Sequence, residues 1–110
     1  AGRMQIDWRP PGPVARRDVK LAFLALLCLE SALPRGGHVT IEVGRQDWSI
    51  RAESDRLLID KLLWGRITGG TAGQPLAPAH VQFALFADEA RRQGRMARLA
   101  LTDRRIELVF

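Results

Sequence analysis

Five short stretches of the chain alternate apolar and polar residues with a period of two, as strands with one buried face do. The first places Met4, Ile6 and Trp8 on one side. The second places Val39, Ile41 and Val43 together, and the third Trp48, Ile50 and Ala52. The fourth aligns Ala97, Leu99 and Leu101, and the last Ile106, Leu108 and Phe110. Their partners, among them Gln5, Thr40, Glu42, Arg51, Arg98 and Glu107, are polar. Each strand is therefore expected to have one face on the core and one toward water. The connection Thr102–Arg104 is tight enough to make the last two strands a hairpin.

Three segments change to helical spacing. The first is expected to begin near Gly12-Pro13 and to run to about Leu33, where Pro-Arg-Gly-Gly stops it. From Val19 to Leu29 it is apolar nearly all round, which predicts burial on more than one side. The second is short, over 55–63, with Ser54 as its expected N-cap. The third runs from Pro78 to Gly94, with Phe83, Phe86 and Ala90 on a broad apolar face. The segment between the second and third helices carries Gly69, Gly70 and Gly73 and is expected to be a loop. Helices on one face of a mixed sheet satisfy all five alternations. The expected class is α/β, in the form of an α+β two-layer sandwich: a mixed five-stranded sheet with three helices on one face.

Length and composition agree with this pattern. The chain of 110 residues fits one domain, spanning 1–110. It is 46% hydrophobic and 26% charged, a globular balance. The longest apolar run, Leu21 to Leu29, is far shorter than the roughly 20 residues of a membrane span, so no membrane partner is expected. The single Cys28 forms no intrachain disulfide and is expected in the core, which fits a cytoplasmic location. The formal charge is +5, carried mostly by arginine. That balance admits an acidic partner. The arginines are scattered, however; only Arg91, Arg92 and Arg95 cluster, and no aromatic residues are interleaved for base stacking. Nucleic acid is accordingly not expected as a partner.

Candidate chemistry is sparse. Neither His38 nor His80 has a second ligand at metal spacing, so no metal site is expected. No nucleophile-elbow motif is present, and Asp88 and Glu89 diverge on their helix. Gly69–Gly73 is the only glycine-rich candidate for a phosphate loop, and it lacks the Gly-Lys-Ser/Thr ending. No catalytic residue and no cofactor are expected.

The order of elements, together with "LLCLESALPRGG", resembles the ATP-binding domain of sensor histidine kinases. The kinase motif N-L-L-x-N-A would place its asparagines on Leu27 and Ser31, with Ala32 matching its alanine. The resemblance implies that these asparagines would hold Mg²⁺ and phosphate. Leu27 has no ligand atom and Ser31 only a hydroxyl, whereas Mg²⁺ demands hard oxygen ligands. The adenine-binding motif D-x-G-x-G would start at Ala52 or Glu53, where no glycine follows. Leu27, Ser31, Ala52 and Glu53 are thus read as lost nucleotide-site positions, with Leu27 and Cys28 expected to be core packing.

This layout with these losses resembles the C-terminal domain of the alphaproteobacterial histidine phosphotransferase family of the ChpT type. The resemblance also rests on Leu76, Pro78, Val81 and Gln82 at the start of the third helix. It implies a degenerate, non-catalytic kinase-like domain within a two-component phosphorelay. The partners it implies are response-regulator receiver domains and the receiver of a hybrid histidine kinase. It further implies that the phosphoacceptor histidine lies on an N-terminal helical hairpin outside these residues, which would also form the homodimer. Two alternatives stay open on sequence grounds. One is a divergent but active nucleotide-binding kinase domain using Ser31, Glu53 and Gly69–Gly73. The other is a small basic module for nucleic acid.

Overall fold

The computed structural model describes residues 3–69 and 75–110. Strand β1 (Met4–Trp8) is followed by helix α1 (Arg16–Ala32), then β2 (Gly37–Val43) and β3 (Trp48–Glu53). Helix α2 (Lys61–Gly65) continues into a 3-10 turn, Arg66–Thr68. A second 3-10 turn, Pro78–His80, opens helix α3 (Val81–Arg92). Strands β4 (Arg98–Leu101) and β5 (Arg105–Val109) complete the chain. The five strands form one sheet in the order β1-β2-β3-β5-β4. β1 runs parallel to β2, joined through α1, and every other pair is antiparallel. The sheet is mixed and carries three helices, as the alternation predicts.

The register shows why the alternating residues share a core. Val39 lies opposite Ala52, and Ala52 opposite Ile106; Ile41 lies opposite Ile50, and Ile50 opposite Leu108. All six are fully buried. Leu21, Ala22, Ala25, Cys28 and Leu29 of α1 and Phe83 and Phe86 of α3 pack in the same cluster. Burying each large apolar side chain contributes roughly 1.5–3 kcal/mol. The aromatic residues lock together: Trp64 meets Phe83 edge-on at 5.0 Å, and Phe110 lies between Trp48 and Phe86 at 6.2 and 5.6 Å.

Two expectations need correction. Helix α2 does not begin at Asp55 with Ser54 as its cap. It begins at Lys61, where Asp60 Oδ1 accepts from the Leu62 and Leu63 amides at 3.1 and 3.2 Å. Asp60 satisfies two donors of the first turn, whereas Ser54 is engaged elsewhere. Secondly, the β1 residues Ile6 and Trp8 lie opposite the buried Val39 and Ile41 yet remain 48% and 41% exposed. β1 is an edge strand, and the helical layer does not extend fully over it. Helix α1 is buried on more than one side, as its apolar run predicts, but Phe23 and Leu27 are 59% and 51% exposed. The sheet covers one side of α1 and α3 flanks it, which leaves its outer face to solvent.

The turn after α1 depends on its two glycines. Gly36 adopts φ +82, and a Cβ there would overlap the Arg3 carbonyl. A Cβ on Gly37 would fall 2.6 Å from the Glu53 carbonyl oxygen. The Gly-Gly pair therefore lets β1, β2 and the end of β3 converge at one edge.

Candidate functional site

Leu27 and Ser31 sit one turn apart on α1. Ser31 Oγ donates to the Cys28 carbonyl within the helix at 2.7 Å, so its hydroxyl proton is spent locally. Leu27 is half exposed, and its main-chain oxygen accepts from Gln82 Nε2 of α3 at 3.5 Å. The expectation that Leu27 packs in the core is therefore overturned. Cys28 beside it is buried, and burial pushes its thiol up to about 12.

Ala52 and Glu53, adjacent in sequence, point to opposite faces of the sheet. Ala52 is fully buried between Val39 and Ile106 on the helix side. Glu53 is exposed on the polar face, opposite His38 and Arg105. The fold therefore brings Leu27 and Ser31 together but places Ala52 in the core and Glu53 across the sheet from it. Gly69 ends the 3-10 turn after α2 at φ 94, and the rest of the candidate phosphate loop, Gly70 to Gly73, lies outside the described residues. His80 precedes α3 and meets the edge of Phe83 at 6.3 Å, while His38 is exposed on β2. Among the described residues no group of three His, Cys, Asp or Glu side chains is placed to hold a metal ion. Nor is any helix among them long and apolar enough to cross a membrane.

Two surface features were not legible as sites in the sequence. The first joins the outer faces of α1 and α3, where Phe23, Leu27, Val81 and Leu85 are each about half exposed. Each helix contributes a pair four residues apart, and such pairs lie on one face. Gln82 ties the start of α3 to α1 beside them. The second is a cleft of about 770 Å³ at the sheet edge built by the Gly36-Gly37 turn. Arg3, Arg35, Arg56 and Arg104 line it together with Glu53 and Asp55. These arginines are far apart in sequence and so read as scattered; only the convergence of strand ends gathers them.

A family model described as the histidine phosphotransferase C-terminal domain matches residues 1–105. The chain belongs to this family. None of the curated proteins matches the chain. Among solved structures, one described as a bacterial phosphotransferase superposes with a TM-score of 0.77 at 20% identity over 97% of this chain. At that identity the likeness shows the fold. This histidine phosphotransferase C-terminal domain spans 55% of the length of that structure's chain. Within the domain, the motif at the start of α3 is structural: Leu76 packs against the core, Pro78 opens the 3-10 turn and Gln82 reaches α1.

Proposed function

We propose that this domain is a non-catalytic part of a histidine phosphotransferase in a two-component phosphorelay, supporting the docking of response-regulator receiver domains and no longer binding ATP. The observation that carries the reading is the state of α1 where the kinase motif would lie. Leu27 offers no ligand atom, and the Ser31 hydroxyl is engaged by the Cys28 carbonyl. Both side-chain amide oxygens of the kinase motif are missing there, and a single serine hydroxyl is a weak substitute for Mg²⁺. Ala52, at the adenine-recognition position, is a core residue with no polar group.

The apolar outer face of α1 and α3 supports docking. An exposed cluster of Phe23, Leu27, Val81 and Leu85 suits a protein partner better than a small polar ligand. The occupant we assign to it is a receiver domain, which rests on the phosphorelay reading of the histidine phosphotransferase family. The phosphoryl-carrying histidine belongs to another part of the full protein, and neither His38 nor His80 takes that role.

Two titrations followed by amide NMR test the two parts separately. Millimolar Mg·ATP should leave the amides of 27–31 and 52–56 unmoved; saturable shifts there would restore the active-kinase reading. A receiver domain should shift the amides of Phe23, Leu27, Val81 and Leu85, and Leu27→Asp should weaken that binding. A receiver that binds the full-length phosphotransferase without touching these amides would remove the docking assignment.

A further inference from the structure

The arginine-lined cleft lies at the edge where β1, β2 and β3 converge, and its polar wall is built from residues on the open face of the sheet. Arg3, Arg35, Arg56 and Arg104 are all exposed there. Some arginines elsewhere are paired, Arg9 with Asp7, Arg51 with Glu42, Arg95 with Asp18 and Arg98 with Asp47. Among the described residues the four cleft arginines form no ion pair, although Glu53 and Asp55 line the same space. The two carboxylates do not neutralise the four guanidinium groups.

The backbone at the cleft limits what anion it suits. The Gly36 amide donates to the Leu33 carbonyl at 2.9 Å and the Gly37 amide to the Arg3 carbonyl at 3.2 Å. The Ser54 amide donates to the Arg104 carbonyl at 3.1 Å, and the Arg56 amide to Ser54 Oγ at 3.2 Å. Ser54 Oγ in turn donates to the Gly36 carbonyl at 3.0 Å. These main-chain donors are consumed in building the floor, so they form no nest for a phosphate. The lining holds no Phe, Tyr or Trp, and the His38 imidazole is a small platform for stacking a nucleotide base. What remains is a set of separated guanidinium forks, which match carboxylates two oxygens at a time. Glu53 and Asp55 between them disfavour a dense polyanion. They are compatible with acidic side chains spaced along a peptide.

We infer that this cleft receives a carboxylate-rich segment of a protein partner. The site is separate from the apolar face of α1 and α3, and it stands whether or not that face docks a receiver. The cleft is wide enough for several side chains, and the Gly36-Gly37 turn forms part of its lining. The strand ends and this turn bring the four arginines to one place.

The test uses the whole chain with a short oligoglutamate peptide as probe, followed by amide NMR at low and physiological salt. Shifts should concentrate at 35–38, 53–56 and Arg104 and weaken with salt. Arg56→Gln together with Arg104→Gln should weaken peptide binding by about tenfold or more, since each removes a charge-assisted bond. Arg91→Gln together with Arg92→Gln should leave it unchanged. All four arginines are exposed, and an unchanged thermal transition in the variants shows that folding is not at issue. Parallel titrations use pyrophosphate and a single-stranded oligonucleotide. Peptide shifts that are absent, or that centre on Arg91, Arg92 and Arg95, overturn the inference. So does tighter binding of pyrophosphate or of the oligonucleotide in the cleft.

Discussion

Arg95 and Asp18 meet at one end of the helical layer, with Nη2 2.6 Å from Oδ1. Both side chains are more than four-fifths shielded from water. The contact is an ion pair rather than an aligned hydrogen bond, and among the described residues Asp18 Oδ1, Arg95 Nη1 and Gln93 Oε1 have no hydrogen-bond partner. The guanidinium also lies over the Phe110 ring, 5.7 Å from its centre. Arg95 thus joins the first turn of α1, the exit from α3 and the last residue of the core.

Asp18→Ala should lower stability by about 1–3 kcal/mol, because it strands a largely buried guanidinium. Urea unfolding of the variant measures the loss. Arg95→Met, which keeps the stem over Phe110 and removes the charge, should cost less than Arg95→Ala. Equal losses for the two would show that the stem contributes nothing.

The Cys28 thiol is pushed up to about 12 by desolvation, from 9.0. It should resist alkylation in the folded protein at mildly alkaline pH and react at once after denaturation. The same shift sets a pH dependence. The thiol's folded value is raised, so its stabilising effect is complete below pH 9 and is lost as pH rises from about 9 toward 12. Stability in that window should fall less steeply with pH in Cys28→Ala than in the parent chain.

Glu89 has its carboxyl held below the usual range, first by the hydrogen bond from Gln93 and then by Lys20. A carboxylate lowered on folding stabilises above its unfolded pKa, and that contribution is lost as pH falls through the folded value. Gln93→Leu should raise the Glu89 pKa, read from its side-chain carbon shift against pH. It should also remove the bond from Gln93 Nε2 to the Arg17 carbonyl, which ties α3 to the start of α1.

Leu27→Asn restores the residue type of the kinase motif at an exposed position. Stability should change by no more than about 0.5 kcal/mol, as for other surface substitutions. Mg·ATP should still fail to bind, since Ser31 and Ala52 are unchanged. A calorimetric titration that finds saturable binding would show that one missing ligand was the whole deficit.

Gly37→Ala should destabilise by about 1–3 kcal/mol, since its Cβ meets the Glu53 carbonyl. Gly36→Ala should cost at least as much, because it adds a positive φ to an overlap with Arg3. Thermal unfolding ranks the two.

The period-two alternation was enough to locate all five strands, because a side chain's face follows from residue parity alone. Helices α1 and α3 were legible for a similar reason: their buried residues, such as Leu21, Ala25 and Cys28, recur at helical spacing. The mixed sheet with helices on one face then followed from the need to cover every apolar face. The start of α2 was not legible, since Ser54 and Asp60 are both acceptable caps. Contact with the Gly36 carbonyl took Ser54 out of the helix.

Tertiary structure alone decided which apolar residues face water. Leu27 and Cys28 are neighbours of similar hydrophobicity, yet one is half exposed and the other buried, because only one side of α1 meets the sheet. Ile6 and Trp8 alternate as core residues do, but β1 landed at an edge. The strand order, with β5 between β3 and β4, is likewise a matter of long-range pairing. The arginine cleft is the clearest case. Arg3, Arg35, Arg56 and Arg104 carry no local signature, and they converge because three strand ends and a Gly-Gly turn meet at one edge. Local sequence sets the period of each element, while neighbours distant in the chain set its surroundings.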